Sequence, residues 1–404
     1  MSKRLWLVVV FALVAAVSVS AASASSKKHV AAQSSHLLVG INDEPDTLYG
    51  DPATAFAALH ELNVQVLRVN LYWGGNKWAV ANSKPSDPND PGDPAYNWAL
   101  YDRLVAYAHT YNIQVMFSIL FTPSWANSGA GKTVAPTNFT DLTNFAYAAA
   151  ERYSGLWTPP PWQRDPQLGI NGTPLPKVSL WTAWNEPNNP IWLTPQYRKV
   201  GKKWVIQSGI TYAKICNAIY NGVHSPYLGP LPGEQVACGV TGPRGNDAPA
   251  SARPSVDPVS FLTAAHAGGM KTFDVYAHHP YASAGNEPPN YVPKGKDKHQ
   301  IQLGNINTLI AKVTQYYGPK HFWLTEYGYQ TNPPDKSIFG TSWANQALYM
   351  QQAYAIARKN PRIDMMLWFL VKDEPALGGW QSGLETATGK KKPSWNAYIA
   401  LPRG

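Results

Sequence analysis

Two glutamates occupy positions suited to carboxylate chemistry. Glu186 closes the stretch Leu180-Trp-Thr-Ala-Trp-Asn-Glu-Pro-Asn188, and Glu326 lies in Phe322-Trp-Leu-Thr-Glu-Tyr-Gly-Tyr329. Each ends a run of strand-forming residues and sits close to tryptophan. One strand-end glutamate is commonly a salt-bridge or loop-capping residue. Two that face one cavity can cleave a glycosidic bond: one protonates the leaving oxygen, while the other attacks the anomeric carbon or activates water.

Such a pair needs elements that bring distant residues to one mouth. Eight short runs rich in β-branched and aromatic residues recur along the chain: Leu37 to Ile41, Gln65 to Tyr72, Gln114 to Leu120, Val178 to Trp184, Val236 to Val240, Phe273 to His278, His321 to Glu326 and Met365 to Val371. Helical patterns lie between them, near Ala53 to Leu62, Trp98 to Tyr111, Asp141 to Tyr153, Gln196 to Tyr220, Val259 to Ala267, Ile306 to Tyr317 and Ser342 to Lys359. Asp51-Pro52, Thr194-Pro195 and Asp257-Pro258 each set a capping residue before a proline suited to the first helical position. Eight strands alternating with helices predict an α/β fold, a closed (β/α)₈ TIM barrel. Glu186 and Glu326 then end the fourth and seventh strands, which face each other across the mouth. Long segments after strand ends, residues 74–96, 122–138, 241–257 and 281–302, are expected as loops on the catalytic face. Residues 155–176 follow a helix and are expected at the bottom or side.

The motifs Trp184-Asn185-Glu186-Pro187-Asn188 and Trp323-Leu324-Thr325-Glu326-Tyr327-Gly328 resemble the two signatures of clan A glycoside hydrolases, families 39 and 5 in particular. The resemblance spans about Leu37 to Tyr398. It implies a retaining glycosidase with Glu186 as general acid/base and Glu326 as nucleophile. Asn185 is implied to bond the sugar 2-hydroxyl, and Arg68 to lie beneath the nucleophile, where a permanent positive charge favours its ionised form. His279-Pro280-Tyr281 resembles the clan's His-x-Tyr element, with His near the acid/base and the Tyr hydroxyl on the nucleophile; the neighbouring His278 leaves the assignment open by one residue. Trp368 matches the platform beneath the sugar at the cleavage point. Two neighbouring imidazoles could suggest a metal, but adjacent strand residues point to opposite faces and no third ligand is apparent, so neither metal nor cofactor is expected.

The chain has 404 residues, with 16 Trp and 22 Tyr against 11 Phe, and its 35 Pro and 31 Gly show no period. Aromatic residues with a polar edge suit flat, hydrated ligands such as sugars. Trp73, Trp125, Trp78, Trp192 and Trp380 in or near the top-side loops are candidates for further subsites, and Asp373 and Glu374 for sugar contacts.

Lys3 and Arg4, the apolar stretch Leu5 to Val19 and Ala22-Ser23-Ala24 form the three-part pattern of a secretory signal over residues 1–24. A polar segment, 25–35, and one barrel domain, 36–404, are expected to follow. In an exported chain the only two cysteines, Cys216 and Cys238, are expected to pair. The formal charge of +9 is scattered, and its longest run, Lys390 to Lys392, reads as a solvated loop. The expected partner is a polysaccharide or glycoconjugate, with no nucleic acid and, once the signal is cleaved, no membrane. A secreted or cell-surface monomer is expected, and the long loops favour endo action. The alternatives are a glycan-binding barrel without catalysis and a cell-surface protein that adheres through its basic surface.

Overall fold

The computed structural model describes residues 37–228 and 233–403; the segments read as signal and polar leader lie outside the described residues. In chain order the strands are β1 (Leu38–Asn42), β2 (Val66–Tyr72), β3 (Gln114–Leu120), β4 (Leu180–Ala183), β5 (Tyr197–Val200), β6 (Lys203–Ile206), β7 (Gln235–Thr241), β8 (Val275–His278), β9 (His321–Tyr327), β10 (Gln330–Thr331), β11 (Gly340–Thr341) and β12 (Ile363–Phe369). Eight of them close in the order β1-β12-β9-β8-β7-β4-β3-β2, with every neighbouring pair parallel. The helices are α1 (Pro52–Glu61), α2 (Ala99–Thr110), α3 (Phe139–Arg152), α4 (Gln207–Val223), α5 (Pro258–Ala267), α6 (Asn307–Tyr317), α7 (Trp343–Lys359) and α8 (Pro393–Ile399). The fold is the (β/α)₈ barrel expected from the alternation. Among the described residues no helix is long and apolar enough to cross a membrane.

Two of the three proline signals start helices. The Asp51 carboxylate accepts from the amides of Ala53 and Thr54 at the start of α1, and Asp257 accepts from those of Val259 and Ser260 at the start of α5. Each satisfies amides that the first turn leaves without partners. The third signal, Thr194-Pro195, leads elsewhere. Residues 197–206 form an antiparallel hairpin, β5 with β6, and α4 begins only at Gln207. Tyr-Arg-Lys-Val-Gly-Lys-Lys-Trp-Val-Ile is rich in strand formers, and Gly201, at φ +60°, supplies the left-handed residue that a two-residue hairpin turn requires. Helix α8, on the C-terminal segment, is an addition to the expected set.

Alternation along the strands divides the core. Leu67, Val69 and Leu71 of β2, Val115, Phe117 and Ile119 of β3, and Trp181 and Ala183 of β4 belong to the large core on the helix side of the sheet. Their neighbours Val66, Met116 and Leu180 point inward and join Ala237, Val275, Trp323 and Met365 in an apolar layer inside the barrel. The next inward residues toward the C-terminal ends are Arg68, Ser118 and Thr182, all buried. The barrel interior therefore changes from oil to hydrogen-bonding groups just below its mouth.

Cys238 lies on the outer face of β7 and is joined to Cys216 of α4, with Cα atoms 5.9 Å apart. The Lys390–Lys392 run is only partly solvated. Lys392 is 2% exposed and ion-paired at 2.7 Å with buried Asp373, so it ties the chain to the loop that follows β12.

Candidate active site

Glu326 reaches the mouth through a break in alternation. The register of β12 against β9 slips between Met366/Leu324 and Trp368/Tyr327. Three donors converge on the Glu326 carboxylate. Asn42, at the end of β1, donates to Oε1 at 3.1 Å; Arg68 donates to the same oxygen at 2.6 Å; the Tyr281 hydroxyl donates to Oε2 at 3.1 Å. The guanidinium is itself aimed by its surroundings, since its Nε–H donates to Ser118 Oγ at 2.8 Å and its second amino group to Asn185 Oδ1 at 2.8 Å. Ser118 in turn accepts from Thr182.

Glu186 lies at the end of β4 in a tightly wound segment. Trp184 has φ +71° and Glu186 φ +34°, and the Glu186 amide donates to Val240 O at 2.8 Å. Left-handed backbone at non-glycine residues is strained, and strain of this kind concentrates at functional sites. Asn188 holds the segment in place. Its Oδ1 accepts from the Gly242 amide, and its Nδ2 group faces the carbonyl oxygens of Gly242, Arg244 and Val256. Gly242 passes so close that a Cβ there would stand 2.9 Å from the Glu186 carboxyl carbon.

His279 bridges the two carboxylates. Its Nδ1 is 3.0 Å from Glu186 Oε1 and 3.6 Å from Glu326 Oε2, while Nε2 meets Thr325 Oγ1 at 3.0 Å. Burial pushes His279 down to about 4, against the pull of Glu326 and with help from Arg68, so the ring is neutral near pH 7. Alternation resolves the ambiguity with His278. Val275 and Ala277 face into the barrel, and His279 continues that face. His278 instead meets Thr241 Oγ1 at 2.8 Å and Ile301 O at 3.0 Å, and burial pushes it down to about 3.

One ligand-type atom from each of Glu186, His279 and Glu326 lies within 4.8 Å of the other two. The group has the composition of a metal site, yet the fixed positive charge of Arg68, 2.6 Å from Glu326, opposes a cation there. Burial raises the Glu186 carboxyl above the ordinary glutamate range, while the positive charges of Arg244 and Arg68 pull it back. A carboxyl that holds its proton more tightly than usual, beside one that accepts three hydrogen bonds, can act as acid and nucleophile on one substrate.

A pocket of about 240 Å³ opens over Glu186, bounded by Arg244, Tyr281, Tyr329, Phe339 and Trp380. Trp380 is 38% exposed and packs against Tyr281 and Phe369. Glu374 holds it there by accepting from the Trp380 amide at 2.8 Å. Asp373 is committed to Lys392.

Two expected platforms require correction. Met365 and Leu367 of β12 face into the barrel, so Trp368 points outward; it is fully buried against Tyr327, and its Nε1–H donates to Ser382 O. It offers no face to a sugar. Trp73 is 1% exposed, edge-on to Trp125 and stacked on Phe145, and is a core residue. Trp125 is partly exposed and anchored through Nε1–H to Ala81 O at 2.8 Å. Trp78 is exposed, and Trp192 is half-buried on Phe121. The structure thus gathers Arg68, Asn185, Glu186, His279, Tyr281 and Glu326. It adds Asn42, Thr325, Asn188 and Arg244, of which Asn42 had a visible signal as the polar end of an otherwise apolar first strand.

No protein-family model matches the sequence, and no curated protein does. Solved structures do resemble the chain. A family 39 glycoside hydrolase from the gut symbiont Bacteroides cellulosilyticus WH2 superposes with a TM-score of 0.58 at 17% identity, over 90% of this chain and 63% of that one. A glucosidase from Croceicoccus marinus gives 0.61 at 13% identity, over 89% and 64%. A family 53 (GH53) catalytic domain from Ignisphaera aggregans gives 0.52 at 15%, over 90% and 95%. The chain therefore spans just under two thirds of the first two proteins and nearly all of the third. At these identities the likeness is one of fold.

Proposed function

We propose that this protein is a glycoside hydrolase that cleaves a polysaccharide or glycoconjugate by double displacement, with Glu326 as nucleophile and Glu186 as general acid/base. The observation that carries the reading is the approach of the two carboxyl groups to within 4.8 Å at their nearest oxygens. Retaining glycosidases hold the pair at roughly 5 Å, whereas inverting ones need more than about 6.5 Å to admit water. The barrel shared with the glycosidases named above supports the reading as an analogy of fold.

In the first step a Glu326 oxygen attacks the anomeric carbon as Glu186 gives its proton to the departing glycosidic oxygen, leaving a glycosyl ester on Glu326. In the second, Glu186 takes a proton from water, the hydroxide oxygen attacks the same carbon, and Glu326 leaves as carboxylate. Asn185, whose Oδ1 is held by Arg68, keeps its amide N–H group for a sugar hydroxyl. Trp380 offers the exposed indole face. The long loops after β2, β3, β7 and β8 suit a chain bound along its length, and hence endo action. The amino-terminal pattern and the disulfide suit secretion.

The test is replacement of each carboxylate. Glu186→Gln and Glu326→Gln should each remove nearly all release of reducing ends with the thermal transition preserved, and wild-type product should emerge with retained anomeric configuration by NMR. Full activity in the Glu326 variant, or an inverted product, would overturn the assignment.

A further inference from the structure

Arg244 has no close counterion: it feels the charges of Glu186, Glu287 and Asp297, but among the described residues none of them lies within ion-pair distance. It is exposed on the loop after β7, and among the described residues its guanidinium makes no hydrogen bond and no ion pair within 4 Å. It lies over the Phe339 ring, 5.3 Å from the centroid, and helps wall the pocket above Glu186. The only carboxylate among the residues lining that pocket is Glu186 itself. Its backbone is not free to wander, because Asn188 binds the carbonyls of Gly242, Arg244 and Val256 and so fixes the loop to the strand end that carries Glu186. The strand end that places the acid therefore also places the arginine.

Five N–H donors in a planar fork, held against an aromatic ring in a half-enclosed pocket, match a carboxylate in geometry and charge. A neutral sugar would give that fork no charged partner at hydrogen-bond distance. The wider surface points the same way. Lys77, Lys84 and Lys132, on the loops after β2 and β3, each stand over an aromatic ring, and Lys294, Lys296 and Lys298 are exposed on the loop after β8. None of the six forms a salt bridge among the described residues. Exposed lysines of this kind attract a polyanion over a distance set by ionic strength.

We propose that Arg244 binds the carboxylate of a uronic acid residue seated over Glu186, so that the substrate is a uronate-bearing glycan. The proposal rests on the glycosidase reading for its place in the reaction, but the recognition step stands apart from catalysis.

The experiment pairs glycans bearing glucuronate, galacturonate or mannuronate with the same materials after reduction of the carboxyl to a hydroxymethyl group. A sulfated glycan and its desulfated form make a third arm. Hydrolysis and calorimetric binding are both read, for wild type, Arg244→Gln and Arg244→Lys, after circular dichroism shows that each variant is folded. Arg244→Gln also alters the field at Glu186, so the informative quantity is the ratio of kcat/KM, or of Kd, between an acidic glycan and its reduced form. That ratio should favour the acidic glycan in wild type, fall roughly tenfold or more in Arg244→Gln, as expected for a lost charged hydrogen bond, and survive in part in Arg244→Lys. A ratio near one in wild type, or equal losses on both forms in Arg244→Gln, would overturn the proposal. Dependence on sulfate rather than carboxylate would overturn it in favour of a sulfate site. Binding that follows the carboxylate without hydrolysis of any glycan would uphold Arg244 and overturn the glycosidase reading; hydrolysis of neutral glycans alone would do the reverse.

Discussion

The Arg68 guanidinium holds Glu326 and Asn185 at once, 2.6 Å from Oε1 of the first and 2.8 Å from Oδ1 of the second. One rigid fork thereby sets the spacing between the end of β9 and the end of β4.

Arg68→Lys supplies a charge without the fork and should keep only part of the activity. Arg68→Met leaves Glu326 buried without its cation. It should lose about 100-fold or more in kcat/KM and about 3–5 kcal/mol of stability, the usual cost of breaking a buried pair. Steady-state kinetics and urea unfolding check both. A lysine variant as active as wild type would show that the fork has no positioning role.

The alkaline limb of the rate profile should report Glu186. An acid must hold its proton to deliver it, and burial raises this carboxyl, so activity should persist above the ordinary glutamate range. The Arg244 charge favours the ionised form and opposes that rise. In Arg244→Gln the Glu186 carboxyl should therefore keep its proton to still higher pH, and the alkaline limb of kcat/KM should move upward. Movement to lower pH would contradict the assignment of Glu186 as the acid.

Trp380 and Trp368 should behave oppositely. Trp380→Ala removes the exposed indole above Tyr281 and should raise KM by about tenfold, the loss of a stacking contact worth on the order of 1 kcal/mol, with little change in unfolding. Trp368→Ala opens a cavity in a filled core and should cost about 3–5 kcal/mol of stability. Equilibrium denaturation beside Michaelis–Menten kinetics separates the two effects.

Cys216–Cys238 joins α4 to β7 across a sequence separation of 22. By the chain-entropy argument, closing a loop of that length stabilises by about 3 kcal/mol. The double Cys→Ala variant should unfold at lower temperature, and reducing agent should lower the wild-type transition to a similar value while leaving the variant unchanged. Equal sensitivity to reductant in both would remove the disulfide from the account.

Much of the barrel was legible because strands and helices announce themselves locally. The runs ending at Tyr72, Leu120, Glu326 and Val371 carry β-branched and aromatic residues at strand length, and Asp51-Pro52 and Asp257-Pro258 carry capping chemistry. The hairpin over 197–206 was missed, because the Thr194-Pro195 signal before it points to a helix start and outweighs the Val-Gly-Lys-Lys turn.

The sequence by itself determined the eight strands, the two carboxylates at the ends of the fourth and seventh, and the cysteine pair, because each is written in residue type and spacing. Which way a strand residue points was decided only by the tertiary structure. Strands of a parallel barrel are buried on both faces, so hydrophobicity along β12 does not tell Leu367, inside, from Trp368, outside. The approach of Glu186 to Glu326, the slip that turns Glu326 to the mouth, and the clamp by which Asn188 carries Arg244 into the pocket all join segments far apart in the chain. They exist only once the barrel closes, because closure alone brings β4, β7 and β9 around one cavity.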